Sequence, residues 1–596
     1  MKKSKVICFF LSSLMLFACM GHDLTSNNEV SKEQVDKNVK NVFGVDFDPT
    51  HDWTTTVNGE VSVNNIPNGT QKVQLFVYID EEDGETSILK LNEAEINGET
   101  FIKLIYDVPS LNKGLYVSFI TSNGMYVRKV NDNVASFARK ATRSATVNYP
   151  IPTITPTISV IEESYASKRG WIEGEKLYGM SDYTTQAMNV GEYSEEFKNA
   201  FDVVIFSYFK NGRAYDNLPL VINSGFYNSK AYPITTGDEP IVVTPIYKRD
   251  GAKTYGNEVY NSDLYYYYYK GDNPTKEYLE SLPKYKAIPF NEVFSDNEDN
   301  IIGKRNGYTL IYWGDGTPSE GTVGSYQFPK GYKIGFMVRA KTTYEGGKKQ
   351  GELYSDGVLN SYINNYDKCN FKSSKLGDNG PRGAWITLED KMFLCFESGT
   401  DRDFNDIIFE VEGGVEKIIN IPDVEENYYT FCFEDTQLGD YDMNDVVLKA
   451  SREDNTHVVW QLVACGAFDE LKIMNINGQK INSNTEVHKI FGAEGGYINT
   501  QTKNYDIVTE KVKVDKSFSF LNESTQPYII DITTGLTVKL SKVGEDPHGI
   551  MIPYDFKYPI EKICIKNAYG DFNSWGINKV TSTDWYKYSN EGYVFK

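Results

Sequence analysis

Over most of the chain, apolar residues fall on alternate positions, and few stretches repeat them at helical spacing. Between Val42 and Asn148, Val57, Val61 and Val63 share one parity around Asn58-Gly59, and Val73, Leu75, Val77 and Ile79 alternate with polar or aromatic partners. Leu115, Val117 and Phe119 continue the pattern up to Asn123-Gly124. A period of two sends one set of side chains to each face of a sheet, and Asn-Gly supplies the positive φ that tight hairpin turns need. Tyr308 to Trp313, Lys333 to Ala340, Val458 to Val463, Tyr528 to Ile532, Leu536 to Leu540 and Ile560 to Ile565 read as further strands. With 43 Tyr and 32 Phe, the composition agrees. The fold expected is mainly β: tandem antiparallel β-sandwich or jelly-roll-like domains with a few short helices. Two such helices are anticipated, one capped by Ser194 and one running from Asn273-Pro274 to Leu282.

The amino end reads as a lipoprotein signal peptide. Lys2, Lys3 and Lys5 precede a mostly apolar stretch from Val6 to Phe17, too short to span a bilayer. Leu16-Phe17-Ala18-Cys19 then fits a lipobox, with cleavage before Cys19 and lipid on its sulfur; Phe17 is bulkier than usual at its position. Acyl chains gain roughly 0.8 kcal/mol per buried CH₂, enough for lasting attachment when several are present. The expected location is the outer membrane, lipid-anchored, at the periplasmic face or, in preference, the cell surface. Residues 19–41 are polar without a hydrophobic period and read as a flexible tether. The rest is too long for a single core. It divides into an N-terminal β-sandwich (42–150), a Tyr-rich α+β or β domain (151–290), a further β domain (291–415) and a final one (416–596). Pro150, Pro152 and Pro156 mark the first boundary.

A net charge of −21, from 82 acidic and 61 basic residues, excludes the cationic surface that nucleic acid requires and leaves carboxylates free for cations. Beyond Cys8 and Cys19 the cysteines are Cys369, Cys395, Cys432, Cys465 and Cys564, dispersed and without a C-x-x-C pair, which argues against zinc.

One acidic pattern occurs twice. Phe393-Leu394-Cys395-Phe396-Glu397 is followed by Asp401-Arg402-Asp403-Phe404-Asn405-Asp406 and the apolar Ile407-Ile408-Phe409. Thr430-Phe431-Cys432-Phe433-Glu434 is followed by Asp440-Tyr441-Asp442-Met443-Asn444-Asp445 and Val446-Val447-Leu448. Both copies share C-F-E and then D-x-D-x-N-D leading into a strand. Alternate residues of such a loop can present oxygens together, so Asp401, Asp403 and Asn405, and likewise Asp440, Asp442 and Asn444, are candidate ligands. Glu397 and Asp406, with Glu434 and Asp445, are candidate additions. Ca²⁺ takes six to eight oxygens and tolerates irregular geometry. The pattern is not an EF-hand: the sixth position is Asp rather than Gly, and strand follows instead of helix. The competing reading is a solvated acidic hairpin whose side chains cap turn amides.

Together with these motifs, Tyr354 to Asn360 and Trp385 to Asp390 resemble a secreted β domain of uncharacterised function from bacterial extracellular proteins. From Phe433 onward the chain is similar to the LruC domain of Bacteroidota and spirochaete lipoproteins. The matching residues include Glu434-Asp435, Asp440 to Val447, Ala464 to Ala467, Glu486-Val487-His488, Pro547-His548-Gly549, Trp575 and Asp584-Trp585-Tyr586. Asp48 to Trp53 also looks like the start of such proteins. The resemblance implies a cell-envelope lipoprotein with no established catalysis.

No G-x-S-x-G, HExxH or phosphate-cradling Gly loop is present, so no catalytic constellation is assigned. His488 and His548 are the pair that a shared pocket in the last domain would use, against the plainer reading of hydrogen-bonded polar residues. Tyr265 to Tyr269, Trp575, Trp585 and Tyr586 either stack on sugar rings or fill cores. The function expected is a calcium-stabilised surface binding, adhesion or scaffold lipoprotein, its partner a glycan or another envelope protein. Glycan capture and carbohydrate hydrolysis are the competing readings.

Overall fold

The structure is a computed structural model. It describes residues 30–595 apart from 81–85, 113, 123, 138–150, 162–175, 181–187, 208–231, 249–261, 289–305, 341–351, 361–381, 397–403, 406 and 419–423. The fold is mainly β, as the alternation predicts, with antiparallel sheets and a few short helices.

The largest sheet has 11 strands and takes them from widely separated segments. Its order is Met188–Asn189, Asn306–Thr309, Ile241–Lys248, Ile407–Gly413, Lys391–Phe396, Gly383–Leu388, Gly124–Lys129, Leu115–Thr121, Thr70–Asp80, Thr86–Glu95 and Glu425–Glu426. The boundaries expected near 150 and 290 therefore do not separate sheets. Hydrophobic alternation shows that a segment is a strand, but backbone pairing between distant strands leaves no local mark. At the N-terminal end, Thr56–Asn64 packs across this sheet, burying Val61 and Val63 against Val73, Leu75, Val77 and Phe119. A 6-stranded sheet centred on Lys333–Ala340, Ser262–Tyr269 and Lys284–Ile288 covers part of the large one. Tyr266 and Tyr268 share that inter-sheet core with Ile241, Val243, Trp385 and Leu394.

The tyrosine run behaves as a two-faced strand in which neither face is left to solvent. Tyr265, Tyr267 and Tyr269 pack with Leu279, Met337 and Tyr354 on the opposite side from Tyr266 and Tyr268. Three of the hydroxyls are anchored: Tyr266 donates to Ile311 O at 2.6 Å, Tyr268 to Gly314 O at 2.9 Å, and Tyr267 to Asp356. Trp575, Trp585 and Tyr586 are likewise buried. None of these aromatics is a sugar platform.

Both short helices form. Ser194 Oγ accepts from the Phe197 amide at the start of Glu195–Asp202. The second is shorter than expected, Lys276–Ser281, and its cap Thr275 accepts from the Tyr278 amide. Part of the expected tether is also ordered. Lys32–Phe43 is an α-helix with a Ser31/Gln34 capping box and a left-handed Gly44 at its end. Val35, Val39 and Phe43 are buried in the last domain's core, where each contributes roughly 1.5–3 kcal/mol. Spaced by four, these residues form a one-sided stripe; the polar residues around them hide it in the composition.

That last domain is a 5-stranded sheet, Val508–Lys513, His457–Ala464, Val446–Asp454, Tyr428–Phe433 and Gly549–Pro553, with cores on both faces. The N-terminal sandwich is joined to it through a buried charge. Asp107 accepts from Ser519 Oγ at 2.5 Å and the Phe520 amide at 3.1 Å, and faces Arg452 Nη2 at 3.5 Å. Both Asp107 and Arg452 are buried. Removing one member of such a pair strands the other without water. Asp107→Ala is expected to cost about 3–5 kcal/mol, and Asp107→Leu combined with Arg452→Met much less. Urea midpoints followed by tryptophan fluorescence test this; equal losses in the single and double variants contradict it.

Candidate metal centre

The two acidic motifs are loops of equivalent hairpins in different sheets. Lys391–Phe396 pairs antiparallel with Ile407–Gly413, placing Phe396 opposite Ile407 and Cys395 opposite Ile408. Tyr428–Phe433 pairs with Val446–Asp454, placing Phe433 opposite Val446 and Cys432 opposite Val447. The fourth motif position is left-handed in both, with φ 54° at Phe404 and 58° at Met443, and both side chains are buried. Asn405 and Asn444, which follow, are buried too. Of the remaining residues expected in the first loop, Glu397, Asp401, Asp403 and Asp406 lie outside the described residues, as does Cys19.

The second loop can be followed atom by atom. Glu434, at the end of its strand, reaches over the loop: Oε2 accepts from the Tyr441 amide at 3.1 Å and Oε1 from the Met443 amide at 2.6 Å. Both donors are left-handed, Tyr441 at φ 56°, which for bulky residues costs on the order of 1–3 kcal/mol each. The loop is therefore held in an unfavourable conformation by a carboxylate, with a consequence for its neighbours. Oxygens of Glu434, Asp440 and Asp442 lie within 4.8 Å of one another, Glu434 and Asp442 buried and Asp440 exposed. Asp442 also accepts from the Lys562 amide at 2.7 Å.

Asn444 supplies a further observation. Its Nδ2 donates to Pro559 O at 3.1 Å, while its buried Oδ1 has no hydrogen-bond partner. That oxygen lies against Gly466, where any Cβ would collide with it and would also approach Glu561 Oε2. An orphaned buried carbonyl oxygen is an acceptor open to a hydrogen-bond donor or a cation. Glu561 is the residue that sequence reasoning missed: it belongs to no motif, and chain closure alone brings it beside the loop. Asp445 stands outside the group of three; its Oδ2 caps the Asp435 amide at 2.7 Å.

The electrostatics follow from burial. Desolvation, with Asp442 and Asp440 adding like charge, drives the Glu434 carboxyl well above the usual range. Desolvation and Asp440 push Asp442 up to about 8, and desolvation pushes Asp435 up to about 6. Every donor is a hard oxygen, and with Asn444 Oδ1 and Glu561 nearby the set suits Ca²⁺ in type and charge. Glu434, Asp440 and Asp442 are thus the residues here that could hold a cation.

Two family profiles match the chain. One is a domain of unknown function (DUF4114) over residues 328–414, which includes the first acidic loop. The other is a domain of unknown function (DUF4842) over residues 541–586, which includes Glu561 but neither acidic loop. No curated protein and no solved structure matches.

The histidines serve the packing. His488 Nδ1 lies 2.6 Å from Glu486 Oε1 and its Nε2 3.1 Å from Ala467 O. His548 Nε2 lies 3.0 Å from the Tyr441 hydroxyl and 3.1 Å from Gln437 O, so it props the acidic loop. They share no partner. Cys395, Cys432, Cys465 and Cys564 are buried.

Carboxyls that bind protons more tightly folded than unfolded stabilise the metal-free protein below about pH 4, and that contribution fades as pH rises through about 6 and then about 8. In chelator, the melting temperature of the last domain is expected to fall between about pH 5 and about 8, and millimolar Ca²⁺ to abolish the fall. Differential scanning calorimetry reads both; a flat chelator profile contradicts the clustering.

Proposed function

We propose that this chain is a cell-envelope lipoprotein of LruC-like type, anchored by lipid on Cys19 and acting at the outer surface as a calcium-stabilised binding or adhesion scaffold. The observation that carries the reading is the Glu434–Asp440–Asp442 group, two of its carboxylates buried, followed in the same loop by Asn444 with its orphaned oxygen. Lys562 offsets part of the charge on Asp440, but a loop that gathers carboxylates at this density still gains from a divalent ion. The repeated hairpin supports a second ion at Asp401, Asp403 and Asn405. The aromatic residues first considered for sugar stacking are core residues, so they lend no support to glycan capture.

Calorimetric titration of the metal-free soluble protein, from Met20 onward, tests the reading. Saturable Ca²⁺ uptake is expected in the micromolar to millimolar range typical of sensor and extracellular sites. Asp442→Ala should weaken one phase roughly tenfold or more, and Asp403→Ala the other. No heat of binding up to several millimolar Ca²⁺ sinks the proposal. Protease shaving of intact cells decides the orientation: loss of the body at the surface supports an external position, and full protection opposes it.

A further inference from the structure

The helix Lys32–Phe43 is docked on the acidic loop itself. Asn38 Nδ2 donates to Gly439 O at 3.0 Å, immediately before Asp440. The ring of Phe43 meets that of Tyr441, between Asp440 and Asp442, edge to face at 5.1 Å. Val35, Val39 and Phe43 share one buried cluster with Tyr441 and Met443, the two left-handed residues that Glu434 holds. The far end of the helix is tied to the same domain: Asn573 Nδ2 donates to Phe43 O at 3.0 Å and Lys566 Nζ to Val42 O.

We infer that cation binding in the second acidic loop and docking of the Lys32–Phe43 helix are thermodynamically coupled, so that the ion sets how closely the body is held to whatever precedes the helix. The inference rests on the cation reading of this site. Its physics is direct. Without an ion between them, the ionised carboxylates of Glu434, Asp440 and Asp442 repel even with Lys562 near Asp440, and relief comes from moving the Gly439–Met443 backbone. That backbone is the helix's seat. A helix of this length is marginal in water once its apolar stripe loses its partner, so undocking and unwinding go together. Each residue released adds roughly 3.3–3.6 Å of reach when extended. The ion thus selects between a short and a long connection to the amino end. By reciprocity, whatever loosens the helix must weaken ion binding by the same factor.

Hydrogen exchange by mass spectrometry on the soluble protein from Met20 onward, in Ca²⁺ and in chelator, reads the coupling. Amides of 34–43 and 439–443 should exchange at least tenfold faster in chelator, while those of Ser262–Tyr269 stay unchanged. In calorimetry, Val39→Asp should weaken the second-loop Ca²⁺ phase at least fivefold. Asn38→Ala, which removes one hydrogen bond and leaves the core intact, should weaken it measurably and in the same direction. Ca²⁺ uptake at that loop with equal helix exchange in both conditions, or with unchanged affinity in both variants, overturns the coupling and leaves the metal centre standing. Absence of Ca²⁺ uptake in the unaltered protein overturns both.

Discussion

Like charges crowded together are costly, and the last domain gathers three of them at one loop, two of them buried. Glu434 is the pivot. Its two oxygens hold the Tyr441 and Met443 amides and so hold two bulky residues in left-handed conformations. The same carboxylate faces Asp440 and Asp442. Hydrogen bonds from backbone amides offset part of the charge, but desolvation leaves every carboxyl in the group proton-hungry. A divalent ion bound there would answer that demand without changing the backbone. Around the loop stand elements from distant parts of the chain: the N-terminal helix through Asn38 and Phe43, His548 against Tyr441, and the Pro559–Lys562 turn through Asn444 and Asp442. The loop is a junction as much as a site.

The twin hairpins place the same device in two sheets. Matching registers at Phe396–Ile407 and Phe433–Val446, with the shared left-handed fourth position, show that the motif encodes a loop conformation as well as a charge pattern. The second sheet is the only one of the two whose loop contacts are described in full, and there the motif's alternate positions do separate by task. Asp440 and Asp442 gather with Glu434, Tyr441 and Met443 turn into the apolar core, and Asp445 caps the turn at Asp435.

The β class, both short helices and the acidic loops were legible because each rests on local chemistry: a period of two, a capping hydroxyl, or oxygen donors at fixed spacing. What was not legible depends on partners far away in the chain. The N-terminal helix carries only a narrow stripe of Val35, Val39 and Phe43 among polar residues, and the stripe gains meaning only against Tyr441 and Trp53. The 11-stranded order joins segments that the sequence divides, since ladder hydrogen bonds are made by backbone and are blind to residue type. Glu561 sits in no pattern; chain closure sets it beside Gly466, whose missing side chain leaves room for Asn444 Oδ1. The five tyrosines were rightly placed on both faces of a strand, yet the sheets and loops that bury those faces lie elsewhere in the chain.

Tyr441 lies between two of the proposed ligands, which makes it a built-in reporter. Terbium occupies oxygen-rich calcium sites and emits when a nearby aromatic ring is excited. Tyrosine-sensitised Tb³⁺ luminescence should rise to saturation with the unaltered protein, be competed away by Ca²⁺, and drop sharply in Tyr441→Leu and in Asp442→Asn. Emission that is absent, or that is indifferent to both substitutions, would contradict an ion held in this loop.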